Sequence, residues 1–164
     1  MTPLRFFPAV ALLLAAIAPA SAADAVFPPG VRVGIAPLVG LAPAKTFAGF
    51  ETEDQSVKVL IAELPAGAYG EVSNALKANP AIANGAKPET VETAAGTAYY
   101  TTDTAKNGSN TVRQYSMILQ GGTFSGYVVV QVPENASKIY SDEAIRQMFA
   151  TADDCLRPGL LDRR

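Results

Sequence analysis

Residues 96–132 read GTAYYTTDTAKNGSNTVRQYSMILQGGTFSGYVVVQV, and this stretch decides the fold. It contains three segments rich in β-branched and aromatic residues, separated by Asn107-Gly108 and by Gly121-Gly122. Asn-Gly is a strong hairpin signal, because both turn positions tolerate a positive φ. A fourth segment of the same kind, residues 91–95, comes just before. The stretch therefore predicts a meander of antiparallel strands, which Pro133 ends.

Upstream of the meander, residues 56–64 read SVKVLIAEL. They are apolar on both alternations, which is typical of a central strand covered on both faces. The alternation of Val31, Val33 and Ile35 with polar or small residues predicts a shorter strand before it. With the meander, these segments predict a central antiparallel sheet of about six or seven strands.

Two helices are predicted beside the sheet. The first follows Pro65 and covers residues 66–78, where the larger side chains form one helical stripe. The second begins at Ser141, a good N-cap residue, and runs to Leu156. Its apolar positions at helical spacing are Ile145, Met148, Phe149, Ala152 and Leu156. The predicted fold class is α+β, with helices packed on the faces of the sheet.

The N-terminal segment has the pattern of an export signal. Arg5 precedes an apolar run from Phe6 to Ala18, which is too short to span a bilayer, and small residues at Ala20 and Ala22 fit a cleavage site. Cleavage after Ala22 removes 22 of 164 residues and leaves 142, enough for one domain with a packed core. The predicted organisation is a signal peptide (1–22), an extended lead-in (23–30), a single α+β domain (31–157) and a C-terminal tail (158–164).

Composition narrows the chemistry. The chain has no histidine, which excludes Ser-His-Asp and Cys-His catalysis and the usual histidine-bearing zinc sites. Its single cysteine, Cys155, cannot form an internal disulfide or carry a lipid anchor at the mature N-terminus. We interpret it as a small apolar filler, with an intermolecular disulfide or reactive thiol as the alternatives. The mature chain keeps 12 basic and 15 acidic residues, which argues against a nucleic-acid partner.

Three short motifs carry a resemblance to a known family. They are FPPG at 27–30 with Arg32 and Pro37, FAGFE at 47–51, and IAELP at 61–65 with Tyr69. The chain resembles uncharacterised exported bacterial proteins of the PsbP-like fold, a family that includes photosystem II extrinsic subunits and a yeast Ran-release factor. The resemblance implies an antiparallel sheet sandwiched by helices and a role exerted through partners. It carries over no catalytic residue.

Three tyrosines are the candidate binding residues. Tyr99 and Tyr100 are neighbours on one predicted strand and so face opposite sides of the sheet, which leaves at least one to form a binding surface with Tyr127. Core packing is the alternative explanation for them. We predict no catalytic residue, no cofactor and no metal site. The acidic turn with Glu51, Glu53 and Asp54 lacks the ligand spacing of a calcium loop, so we interpret it as a solvated turn.

Two functions are consistent with these observations. The favoured one is an exported, soluble, non-catalytic binding or accessory/assembly protein, periplasmic or secreted, whose partner is a protein or a small molecule outside the cytoplasm. We expect no membrane span and no lipid anchor after cleavage. The alternative is a carboxylate-based, hydrolase-like enzyme with a site beside the sheet. It predicts that two of four carboxylates come together with perturbed pKa values, namely Glu51, Glu63, Asp103 and Glu134.

Overall fold

The computed structural model describes residues 24–79 and 87–154. The strands are β1 (Val33–Gly34), β2 (Ala42–Pro43), β3 (Gly49–Glu51), β4 (Lys58–Pro65), β5 (Glu89–Thr93), β6 (Gly96–Asn107), β7 (Asn110–Gln120), β8 (Phe124–Pro133) and β9 (Asp153–Asp154). Seven of them form one antiparallel sheet in the order β2-β3-β4-β8-β7-β6-β5, and β1 pairs with β9 separately. The helices are α1 (Ala68–Ala78) and α2 (Asp142–Ala150), with a short 3-10 turn at Glu134–Ala136.

The predicted meander is confirmed. β5, β6, β7 and β8 pair consecutively in antiparallel registers. The turn between β6 and β7 consists of Gly108 and Ser109, with Asn107 paired to Asn110, and Gly108 has a φ of +63°. β4 pairs with β8 over its full length, so the strand from the first half lies in the middle of the sheet, as its composition indicates. The α+β class and the number of strands follow from these pairings.

One face of the sheet carries the hydrophobic core, and we call it the core face. Val59 and Ile61 of β4 lie beside Val130 and Val128 of β8, and all four are buried. Helix α2 packs on this face through Ile145, Met148 and Phe149. The predicted cap is present, because the Ser141 hydroxyl accepts a hydrogen bond from the amide of Ala144 at 3.3 Å.

The opposite face is covered only at one end. Helix α1 starts there because the buried Ser125 hydroxyl accepts a hydrogen bond from the Tyr69 amide at 2.9 Å and donates one to the Ala66 carbonyl at 3.1 Å. Its 11 residues span about 16 Å, whereas the ten residues of β8 span about 33 Å. The prediction that β4 is covered on both faces is therefore wrong, since Leu60 and Ala62 are exposed.

The second helix is shorter than predicted. It ends at Ala150, and the Thr151 hydroxyl donates to the Met148 carbonyl at 2.6 Å while accepting from the Ala36 amide at 2.8 Å. The chain then leaves the helical path, and Asp153–Asp154 pair with β1. The prediction of a helix running to Leu156 is thus wrong at its end, because these tertiary hydrogen bonds replace the next helical turn.

The segment before β1 is tied to the domain. Val26 and Ile35 exchange backbone hydrogen bonds of 2.8 and 3.2 Å. The Arg32 side chain binds the Glu63 carboxylate and lies 4.2 Å from the centre of the Phe124 ring. The predicted signal peptide, Cys155, Leu156 and the C-terminal tail lie outside the described residues. Within residues 24–79 and 87–154, no helix is long and apolar enough to cross a membrane.

Candidate functional site

The three candidate tyrosines fall on the two faces of the sheet. Tyr99 and Tyr127 lie in one cross-strand row, separated by Ile118 of β7, on the face opposite the core. Tyr100 points to the core face, where it is 5% exposed and its ring centre lies 5.5 Å from that of Phe149. The structure therefore places Tyr99 and Tyr127 on one face of the sheet, with the buried Ile118 between them, and puts Tyr100 in the core.

The uncovered part of this second face is the main candidate surface, which we call the open face. The strand registers align Leu60 with Val129 and Ser116, and Ala62 with Tyr127, in two adjacent rows. Leu60 is 37% exposed, Ala62 is exposed, and the other three are partly exposed. None of these side chains is charged. These five residues, to which the name open face refers from here on, form a mainly apolar patch that contains one tyrosine. The next row on the same face is polar and includes Lys58, Gln131, Gln114 and Asp103.

A small cavity lies at the end of this face, between α1 and the start of β5. Its volume is about 230 Å³. We call it the Tyr99 pocket, and its walls are Leu76, Lys77, Lys87, Pro88, Thr90 and Tyr99. The Tyr99 ring is held in place by Tyr69, whose ring centre is 5.9 Å away and whose hydroxyl donates to the Thr97 carbonyl at 2.6 Å.

The core face carries a polar cluster that the sequence did not predict. The Tyr115 hydroxyl donates to one Asp142 carboxylate oxygen, and Arg113 donates to the other at 2.9 Å. In the same cavity of about 210 Å³, the Tyr100 hydroxyl donates to Glu89 at 2.9 Å. The cluster joins residues that are far apart in the chain, so no local sequence pattern predicts it.

The tyrosines of this cluster are donors. Burial, and then the hydrogen bond to Glu89, raise the pKa of Tyr100 to about 12. Burial and the bond to Asp142 likewise raise the pKa of Tyr115. Phenols with raised pKa values stay protonated near neutral pH and do not act as bases. The cluster therefore fastens α2 to the sheet.

The four carboxylates of the enzyme hypothesis are spread over the molecule. Glu51 and Asp103 occupy one cross-strand row but are four strand spacings apart, about 19 Å. Glu63 points to the core face, where hydrogen bonds from Arg32 hold its pKa below the usual value. Glu134 lies in the turn after β8. The structure brings no two of them together, and a lowered pKa is the opposite of what a general acid needs.

The acidic turn is organised around Asp54. One of its carboxylate oxygens accepts hydrogen bonds from the Thr52 hydroxyl at 2.6 Å and the Ser56 hydroxyl at 2.8 Å, and these bonds lower the pKa of the group. A depression of about 540 Å³ separates this turn from residues 40–45. In the part of the chain that the structure describes, no three Asp, Glu or Cys side chains are grouped as metal ligands.

Comparison with known proteins supports the architecture. No family model matches the chain, and no curated protein does. The chain is similar to a crystal structure from Bacteroides thetaiotaomicron VPI-5482, determined at 1.50 Å, with a TM-score of 0.53 and 13% sequence identity. The match covers 81% of this chain and 48% of that chain, so this chain spans about half the length of the protein it resembles. At this identity the likeness concerns the fold alone, an α+β domain built on an antiparallel sheet.

Proposed function

We propose that the chain is a non-catalytic binding or accessory protein of the bacterial periplasm that engages its partner through the open face. The observation that carries the proposal is the unequal covering of the sheet. Helix α2 buries the core face, while Leu60, Ala62, Tyr127 and Val129 are left in contact with water on the other face.

The composition of the open face suits a protein partner. Exposed apolar surface is costly in water, and a contiguous exposed patch often marks an interaction site. Tyr127 adds an amphipathic ring, the type of side chain that is enriched in interfaces. The small side chains of Ala62 and Ser116 lie diagonally across from one another and leave room around Tyr127 and Val129 for side chains of a partner.

The compartment and the finer fold are part of the same proposal. The segment from Arg5 to Ala22 supports export, and the motifs around residues 27–37, 47–51 and 61–65 support a PsbP-like fold. A partial sandwich, with α2 on one face and α1 on part of the other, is compatible with that fold. We do not propose an enzyme, because no observation brings two of its carboxylates into one site.

A pull-down from periplasmic extract with the purified mature chain tests this function. We expect a partner that is enriched over an unrelated control domain and is lost with Leu60→Glu, which places a charge in the middle of the open face. Thr104→Glu is the matched control, because it adds the same charge at an exposed strand position on the other face. Absence of any enriched partner, or equal capture by Leu60→Glu, would contradict the proposal.

A further inference from the structure

The Tyr99 pocket has a distinct chemistry from the open face beside it. Its apolar walls come from Leu76, Pro88 and the Tyr99 ring, and two lysines stand at its rim. The Lys77 ammonium lies 5.5 Å from the centre of the Tyr99 ring, close enough for a cation–π contact. An aromatic wall and a cationic rim are thus combined in one small cavity.

The two ammonium groups lack carboxylate partners. Among residues 24–79 and 87–154, the ion pairs join Arg32 to Glu63 and Arg113 to Asp142, and neither involves Lys77 or Lys87. The nearby Glu92 carboxylate accepts a hydrogen bond from the Thr97 hydroxyl at 2.8 Å and does not line the pocket. Among the described residues that line the pocket, two are therefore positively charged and none is a carboxylate.

We propose that the Tyr99 pocket binds a small organic anion with a flat apolar body, such as an aromatic carboxylate. The body would pack against Leu76, Pro88 and the Tyr99 ring, and the carboxylate would lie between the two lysines. The volume of about 230 Å³ is below the ~300–1,000 Å³ of pockets for drug-sized ligands, which favours a single-ring molecule. This inference extends the proposed binding role to a second, small ligand.

Benzoate and benzamide are suitable probes, because they share the ring and differ in charge. Each is titrated into the labelled mature chain at constant ionic strength, and amide shifts of Thr90 and Tyr99 are followed by NMR. The test variant is Lys77→Gln combined with Lys87→Gln. The control is Lys106→Gln combined with Lys138→Gln, which removes the same charge at two exposed lysines outside the pocket.

We expect saturable shifts with benzoate and at least tenfold weaker binding of benzamide. The test variant should lose at least tenfold in benzoate affinity, while the control stays within twofold of the parent chain. Three results would overturn the proposal. They are equal binding of the two probes, unchanged benzoate affinity in the test variant, and no saturable shift at benzoate concentrations up to roughly 50 mM, which covers millimolar dissociation constants. Such a failure leaves the pull-down through Leu60 unaffected, so the two proposals fail separately.

Discussion

Two adjacent residues of β4, each truncated to alanine in turn, should lower the free energy of unfolding by very different amounts. Ile61 points into the core and is 4% exposed, whereas Leu60 points to the open face and is 37% exposed. Ile61→Ala leaves a cavity under α2 and should cost about 3–4 kcal/mol, within the range known for such changes. Leu60→Ala removes three carbons worth about 0.8 kcal/mol each when fully buried, so partial burial reduces its cost to about 1–1.5 kcal/mol. No cavity forms, because the site is open to water.

Urea unfolding followed by far-UV circular dichroism measures both costs. With an m-value of about 1–3 kcal/mol/M, Ile61→Ala should lower the midpoint by about 1 M or more, and Leu60→Ala by less than half as much. The m-values of the two variants should agree, which checks that both unfold in the same transition. Equal losses of stability would refute the reasoning, because they would mean that a further layer covers Leu60.

Three further predictions concern stability. Gly49→Ala should cost roughly 2–5 kcal/mol in thermal or urea unfolding, because the glycine has a φ of +146° and an added Cβ would collide with the backbone of β4, whereas Gly70→Ala, with open space around it, should be neutral or stabilising. Because hydrogen bonds from Arg32 lower the pKa of Glu63 in the folded state, the ionised carboxylate stabilises the fold above its unfolded-state pKa of about 4.5, and this stabilisation is lost as the pH falls through the folded-state pKa. Glu63→Gln should therefore reduce the loss of unfolding free energy on acidification from about pH 5 to about pH 3, and an equal loss in parent and variant would contradict this. Tyr115→Phe should cost about 1 kcal/mol and leave the early part of a phenol titration at 295 nm unchanged, because burial raises the pKa of Tyr115 and its phenol ionises after the exposed ones; loss of an early-ionising phenol would contradict the burial of its hydroxyl.

Local patterns predicted the strands and their partners better than they predicted what covers them. The two turns of the meander and the Ser141 cap are short-range signals; the structure has the cap and the Gly121-Gly122 turn where the residues indicate, whereas the Asn-Gly turn lies one residue later, at Gly108-Ser109. The apolar residues of β4 on both alternations indicate a central strand, which is correct. Whether a helix covers Leu60 depends on the length and position of α1, and the residues of β4 do not encode either of these.

The errors at long range have the same origin. Ala152 continues the apolar spacing of α2, but Thr151 and Ala36 form a contact across 115 positions that ends the helix. Likewise, the hydrogen bond between Tyr115 and Asp142 joins a strand to a helix across 27 positions, and no local sequence pattern connects the two residues. The opposite directions of Tyr99 and Tyr100 were predictable, because strand side chains alternate; which of the two faces water was not.

Site-specific photo-crosslinking in exporting bacteria tests the central claim most directly. A photoreactive side chain at position 60 lies in the middle of the open face, and one at position 104 is an exposed control on the other face. We predict a discrete crosslinked adduct from position 60 and none from position 104. No adduct at position 60, or the same adduct from both positions, would contradict a binding role for the open face.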